Sequence, residues 1–251
     1  MSRLARRKSA TGIYHIMLRG INRQTIFESK NDKTRFLETL GRYKPISEYK
    51  IYGYCLMDNH VHLLLEESKE PISKAIKRIS SSYVYWYNQK YERCGPLFQG
   101  RFRSENVENY RYFLTALRYI HQNPLKAGLS NTVYDCKWTS MNEYIQESSI
   151  VDVDFALELF SPERKKAIPL FTTFMEESNQ DECLDITPVS RKNDYAVKDY
   201  LHSLGVTTAS LQQMEKRERD EVISSLKELE GVSIRQLSRV TGLSKSVIQR
   251  V

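Results

Sequence analysis

His60 and His62 are separated by a single residue, in the segment Met57-Asp-Asn-His-Val-His-Leu-Leu-Leu65. If that segment is a β-strand, side chains alternate, so both imidazoles leave one face while Val61 and Leu63 leave the other. Two imidazoles on adjacent same-face positions can share one ion. Imidazole accepts zinc, manganese, iron and nickel alike, so the pair does not select the metal. A third ligand is offered further along, in Tyr119-Ile-His-Gln-Asn123. Helix positions four apart share a face, which aligns Tyr119 with Asn123 and turns His121 elsewhere. The amide oxygen of Asn123 beside two imidazoles leaves coordination positions open for a phosphate. Such a mixed set suits Mg2+ or Mn2+ delivered with the substrate. The plain alternatives are an accidental surface pair of histidines and a helix tyrosine packed on a sheet, one of sixteen tyrosines in the chain.

The elements that must position these groups are legible in the apolar spacing. Residues 12–19 alternate as a first strand, with Ile13, His15, Met17 and Arg19 on one face. Asn31 is expected to cap a helix running to residue 43, followed by a strand over 49–57, a turn at Asp58-Asn59 and a strand over 60–66. Pro71 opens a long helix to about residue 92, ended by Gly95-Pro96. A short strand is expected over 105–108, then a helix over 110–122 stopped by Asn123-Pro124. A hairpin flanked by two crossover helices predicts an α+β fold, a ferredoxin-like antiparallel sheet with helices on one face. That architecture carries many activities and identifies none.

Composition narrows the setting. The chain has 251 residues, 40% hydrophobic and 27% charged, with a formal net charge of +7. This is enough apolar material for a core without disulfide staples, and the positive excess favours a polyanionic partner. Cys55, Cys94, Cys136 and Cys183 are too scattered for a zinc ribbon and read as thiols of a reducing compartment. No signal core or bilayer-length apolar run is visible, so a cytoplasmic protein without a membrane partner is expected. Arg3, Arg6, Arg7 and Lys8 form a basic leader that could touch phosphates or simply be solvated. The expected division is a catalytic domain over 1–147, a connector over 148–193 and a helical module over 194–251. In the last, residues 233–251 read as a helix-turn-helix: Ile234, Leu237 and Val240 point inward, Gly242 turns the chain, and Ser244 caps a second helix.

The His-Val-His segment resembles the HUH motif (histidine, bulky apolar residue, histidine) of single-tyrosine transposases. More narrowly, Tyr14-His-Ile-Met-Leu-Arg-Gly20, Gly95-Pro-Leu-Phe-Gln-Gly-Arg-Phe102 and Tyr119-Ile-His-Gln-Asn-Pro-Leu-Lys-Ala-Gly-Leu129 resemble the REP-associated tyrosine transposases. The likeness runs from about residue 12 to 144 and does not extend into the last third. It implies Tyr119 as nucleophile, with His60, His62 and Asn123 holding a divalent metal, Mg2+ or Mn2+. It further implies cleavage and rejoining of single-stranded or hairpin DNA through a 5′-phosphotyrosine, and a monomer in preference to a homodimer. A phenol ionises near pH 10, so the tyrosine needs a cation on the phosphate to attack at neutral pH. The covalent link would keep the phosphodiester's energy for rejoining.

Arg19, Arg23, Arg101 and Arg103 are the basic residues expected nearest DNA, and Lys245, Gln249 and Arg250 those expected on the terminal helix. Each has surface ion pairing or plain solvation as its alternative. Tyr83, Tyr85, Trp86, Tyr87 and Tyr91 could stack unpaired bases, although a stripe on a long helix is more often core. Two other functions compete: a DNA- or RNA-binding regulator derived from a transposase without catalysis, and a metallo-hydrolase acting on a small molecule. The latter leaves the positive charge and the Tyr119–Asn123 pairing unexplained.

Overall fold

The computed structural model describes residues 7–181, 183–184, 194–229 and 231–251. Arg3 and Arg6 of the basic leader, and residues 185–193 of the expected connector, lie outside the described residues. The chain divides into two compact units, Met1–Leu184 and Asp185–Val251.

The first unit runs β1 (Ile13–Arg19), a 3-10 turn (Ile21–Arg23), α1 (Lys30–Ser47), β2 (Lys50–Leu56), β3 (His60–Glu66), α2 (Ile72–Lys90), β4 (Arg103–Asn106) and α3 (Tyr110–Lys126). The strands form one antiparallel sheet in the order β2-β3-β1-β4. This is the α+β ferredoxin-like sheet that the spacing predicts. The two crossover helices pack side by side on one face. Leu18 of that face lines a groove with Ile76 and Val84 of α2, and Phe36 of α1 meets Tyr83 of α2 edge-on at 5.2 Å. Helix α3 covers the opposite face, where a bulge at Tyr52 leaves Gly53 beneath Leu117. A Cβ on Gly53 would stand 2.7 Å from Leu117 Cδ1, so the missing side chain is what lets α3 lie so close to the sheet.

Several boundaries differ from expectation for local reasons. Ser29, not Asn31, starts α1: the Asp32 carboxylate accepts from the Ser29 backbone N–H at 2.9 Å and from its hydroxyl at 3.0 Å. The same carboxylate is fully buried, pairs with Lys90 Nζ at 2.5 Å and accepts from the Tyr91 hydroxyl at 2.7 Å, tying the start of α1 to the end of α2. The aromatic stripe is largely core. Tyr83 and Tyr87 are buried and donate to the Ile26 carbonyl and to Glu28, and Tyr85 alone is widely exposed. Strand β4 sits two residues earlier than predicted, paired with Tyr14–Met17 of β1. Helix α3, capped by Asn109, continues through Pro124 to Lys126. A proline disfavours the helix before it but does not forbid it, and here the break waits for Gly128 at φ +69°.

The expected connector also departs from its reading. Residues 148–184 carry α5 (Asp154–Glu158) and α6 (Arg164–Glu176), following α4 (Met141–Ile145), and these join the core of the first unit. Phe171 of α6 stacks on Tyr144 of α4 at 4.4 Å, and the Tyr144 hydroxyl donates to the Tyr52 carbonyl at 2.6 Å. A domain border at residue 147 would cut this core.

The second unit contains α7 (Asp194–Ser203), α8 (Thr208–Gln213), α9 (Lys216–Glu228), α10 (Ile234–Thr241) and α11 (Lys245–Arg250) around Val197, Leu201, Leu211, Ile223, Leu226, Leu237, Val240 and Ile248. The helix pair predicted at the end is present. Ser233 and Ser244 cap its two helices, and Gly242 turns the chain between them at φ +74°.

Candidate active site

Strand pairing lays out the face beneath α3. His60 stands opposite Arg19, and His62 opposite Met17 on one side and Cys55 on the other. Met17 in turn stands opposite Arg103. Directly opposed residues share a face, so His15, Arg19, His60, His62 and Arg103 all project toward the side covered by α3.

Each imidazole is held by a neighbour. Asn59 Nδ2 donates to the Arg23 carbonyl at 3.3 Å, which orients its amide so that Oδ1 accepts from His60 Nδ1–H at 2.6 Å. A hydrogen on His60 Nδ1 faces that acceptor, which in the neutral ring is the tautomer that leaves the lone pair to Nε2. His62 is fully buried, with Nδ1 3.0 Å from Nε2 of the equally buried His15. Its own Nε2 is buried with no hydrogen-bond partner. Burial pushes His15 down to about 3. Burial also pushes His62 well below the usual histidine range, helped by the neighbouring imidazoles of His15 and His60. Both rings are thus neutral at physiological pH, the form that donates a lone pair to a cation.

Tyr119 packs edge-on against these rings, its centroid 5.6 Å from that of His62 and 5.9 Å from that of His15. Lys126 Nζ lies 5.5 Å from the phenol ring. Tyr119 is only 4% exposed. Asn123 follows one turn later and is half-buried. The rotation of α3 that aims Tyr119 at the sheet is fixed from behind. Arg118 pairs with Asp181 at 2.8 Å and Glu177 at 2.9 Å, and Gln122 Nε2 donates to the Met175 and Glu177 carbonyls. His121 points away from the imidazole pair, as expected, with Nε2 2.7 Å from Ser140 Oγ.

Among the described residues no group of three or more His, Cys, Asp and Glu side chains gathers to hold an ion. An ion at this place would take His60 and His62 and fill its shell from oxygens other than carboxylates, such as the Asn123 amide, water or an anionic phosphate. The unpartnered Nε2 of His62 fits that role, because a buried ring nitrogen without a partner is otherwise a cost.

The other candidates divide by position. Arg19 and Arg103 border the imidazoles through the sheet register. Arg23 and Arg101 are exposed on the flanking loops, and the Arg23 backbone contributes by holding Asn59. Arg7 and Lys8 are also exposed, Lys8 lying 3.8 Å from Glu67. Lys245, Gln249 and Arg250 are exposed on α11 of the second unit. All four cysteines are free, with Cys55 buried and Cys94 exposed. No described helix is long and apolar enough to cross a membrane. Sequence reasoning missed His15 and Asn59 as supports of the pair. In the sequence His15 is a polar residue on the same strand face as Arg19, and Asn59 is half of a turn pair; neither signal alone points to an imidazole.

The family described as "Transposase IS200 like" matches residues 8–123. Among curated proteins none matches. A solved structure described as the REP-associated tyrosine transposase bound to a REP hairpin is similar, with a TM-score of 0.53 and 15% identity, over 74% of this chain and 96% of its own. A putative transposase from Deinococcus radiodurans R1 overlaps less, with a TM-score of 0.34 and 13% identity, over 45% of this chain and 91% of its own. At such identity the first likeness is one of fold. The match over 8–123 takes in the whole sheet, the paired histidines, Tyr119 and Asn123. That stretch is similar to IS200-like transposases, and its fold is like that of the REP-associated tyrosine transposase structure.

Proposed function

We propose that the protein cleaves and rejoins single-stranded DNA, with Tyr119 as nucleophile and His60, His62 and Asn123 as ligands of Mg2+ or Mn2+. The observation that carries the reading is the contact of the Tyr119 ring with His62, whose Nε2 is buried and unpartnered. When bound, the cation would withdraw charge from the scissile phosphate and stabilise the in-line transition state. His60 and His62 would present Nε2 lone pairs. Arg19 and Arg103 would hold the flanking phosphates, and Arg23 and Arg101 the strand further out. The Tyr119 oxygen would attack phosphorus as the bond to the departing 3′ oxygen breaks, leaving a 5′-phosphotyrosine and a 3′-hydroxyl. The similar protein whose structure contains a REP hairpin supports a hairpin substrate. Lys245, Gln249 and Arg250 would add DNA contacts from the second unit, and a monomer is the working unit.

At 4% exposure, Tyr119 would have to be uncovered for the substrate to reach it. That low exposure is also what favours the second reading, a transposase-derived regulator that binds nucleic acid without cutting it. Incubation with labelled hairpin DNA and Mn2+ or Mg2+, followed by a denaturing gel, separates the two. Strand transfer predicts a covalent adduct that disappears on chelation and in the His60→Ala/His62→Ala double variant. Retarded DNA with no adduct in either metal would establish the regulator.

A further inference from the structure

The bond between His15 and His62 admits two proton arrangements, and they differ in what they offer a cation. In one, His62 Nδ1–H donates to His15 Nε2, and the buried Nε2 of His62 carries a lone pair. In the other, His15 Nε2–H donates to His62 Nδ1, and His62 Nε2 carries a hydrogen that no ion can share. Both leave two buried ring nitrogens without partners, His62 Nε2 and His15 Nδ1. Hydrogen bonding within the protein alone therefore does not choose between them. A cation at His62 Nε2 does choose, since it satisfies that nitrogen only in the first arrangement.

We propose that His15 is a positioning residue for His62, accepting the Nδ1 proton across 3.0 Å so that Nε2 is turned, unprotonated, toward the ion. The inference rests on the strand-transfer reading of the site. His60 supplies an internal parallel: its Nδ1–H is fixed by the Asn59 amide oxygen, so each imidazole of the pair has its own acceptor behind it. The two acceptors come from different places, a turn residue for the half-exposed ring and the neighbouring strand for the buried one. His15 is suited to the buried position because a charged carboxylate there would be costly to desolvate. Its side chain is fully buried, and its ring also touches Tyr119 edge-on at 5.9 Å, so it fixes the rear wall of the site on both sides.

The test is a substitution series read by metal binding in the absence of DNA. Glutamine places an amide oxygen near the position of the His15 Nε2 acceptor, and leucine fills the volume with no acceptor. His15→Leu is expected to weaken Mn2+ affinity by about 10–100-fold in calorimetric titration, the usual effect of losing a ligand's supporting acceptor. His15→Gln should recover most of that loss. In 15N-edited spectra of the Mg2+-loaded wild type, the His62 ring proton should reside on Nδ1. Unfolding midpoints of the variants, measured alongside, separate lost folding from lost positioning. Unchanged affinity in a folded His15→Leu, equal damage in the leucine and glutamine variants, or a proton on His62 Nε2 in the Mg2+-loaded protein would each overturn the proposal. The strand-transfer reading has its own control: if His60→Ala/His62→Ala binds Mn2+ as wild type does, that reading fails whatever the His15 series shows.

Discussion

Gly20→Ala tests how the chain builds the support for His60. The residue has φ −63° and ψ 145°, which alanine adopts freely, so backbone conformation does not demand glycine. Space does. A Cβ at this position would lie 2.2 Å from the Gln24 carbonyl oxygen and 2.9 Å from Ile26 Cγ2, closer than real Cβ atoms approach. The first obstacle is backbone, so no rotamer change relieves it. Residues 20–27 wrap the turn before β3: Gly20 N donates to the Asn59 carbonyl at 2.9 Å, while Ile26 N and Phe27 N share the Asp58 carbonyl at 2.8 and 3.2 Å. Moving Gln24 aside pulls on Ile26 and Phe27, both buried, and loosens the Arg23–Asn59–His60 chain. Overpacking of this kind costs about 1–3 kcal/mol. For a chain of this length, a loss of about 2 kcal/mol corresponds to a midpoint lower by about 4–8 °C. Gly41→Ala is the matched control. Its Cβ would meet only Ile150 Cγ2, at an ordinary 3.5 Å, inside α1. Alanine there should stabilise by about 0.5–1 kcal/mol. The assay is thermal unfolding of both variants together with the rate of adduct formation at saturating Mn2+. Gly20→Ala should lower both, and Gly41→Ala should raise the midpoint and leave the rate alone. Equal midpoints for Gly20→Ala and wild type, or shifts of the same sign in the two variants, would refute the steric reasoning.

Other consequences are as specific. Burial holds His121 at about 3, below the 6.5 of an unfolded histidine, so its contribution is intact above about pH 6.5 and is lost as pH falls from there toward 3. His121→Gln should therefore flatten the pH dependence of unfolding between pH 6 and 4 by about 1.4 kcal/mol per pH unit; an unchanged slope would mean the imidazole is not held neutral. Arg118→Ala strips Asp181 and Glu177 of their shared partner behind α3. It should cost about 1–3 kcal/mol in denaturant unfolding and reduce adduct yield, whereas a stable, fully active variant would show that the clamp does not set Tyr119. Affinity for single-stranded DNA should fall steeply with salt, and Arg103→Ala should reduce the slope of log K against log salt by about 0.7. An unaltered slope would remove Arg103 from the phosphate path.

The parts of the site that depend on neighbouring residues were legible in the sequence. Alternation around His60 and His62 gave their common face, and the four-residue step from Tyr119 to Asn123 gave theirs, because strand and helix geometry act over a few residues. What the sequence concealed depends on distant contacts. The 148–184 stretch looked like a connector because Pro162, Pro169 and scattered Ser and Asp break up its apolar clusters. Its helices are stabilised by packing on Tyr144 and by partners on α3, as in the bond from Gln122 to the Met175 carbonyl. His15 read as one polar residue in an alternating strand. Only the β1–β3 register brings it to His62. The same is true of Tyr119, whose position on a helix says nothing of how completely its surroundings bury it.

Mass spectrometry of the trapped protein–DNA adduct tests the nucleophile directly. After nuclease and protease digestion, the 5′-phosphonucleotide should be found on the peptide containing Tyr119, and Tyr119→Phe should bind the hairpin within a few-fold of wild type while forming no adduct. A modified tyrosine elsewhere in the chain, or adducts persisting in Tyr119→Phe, would contradict the account.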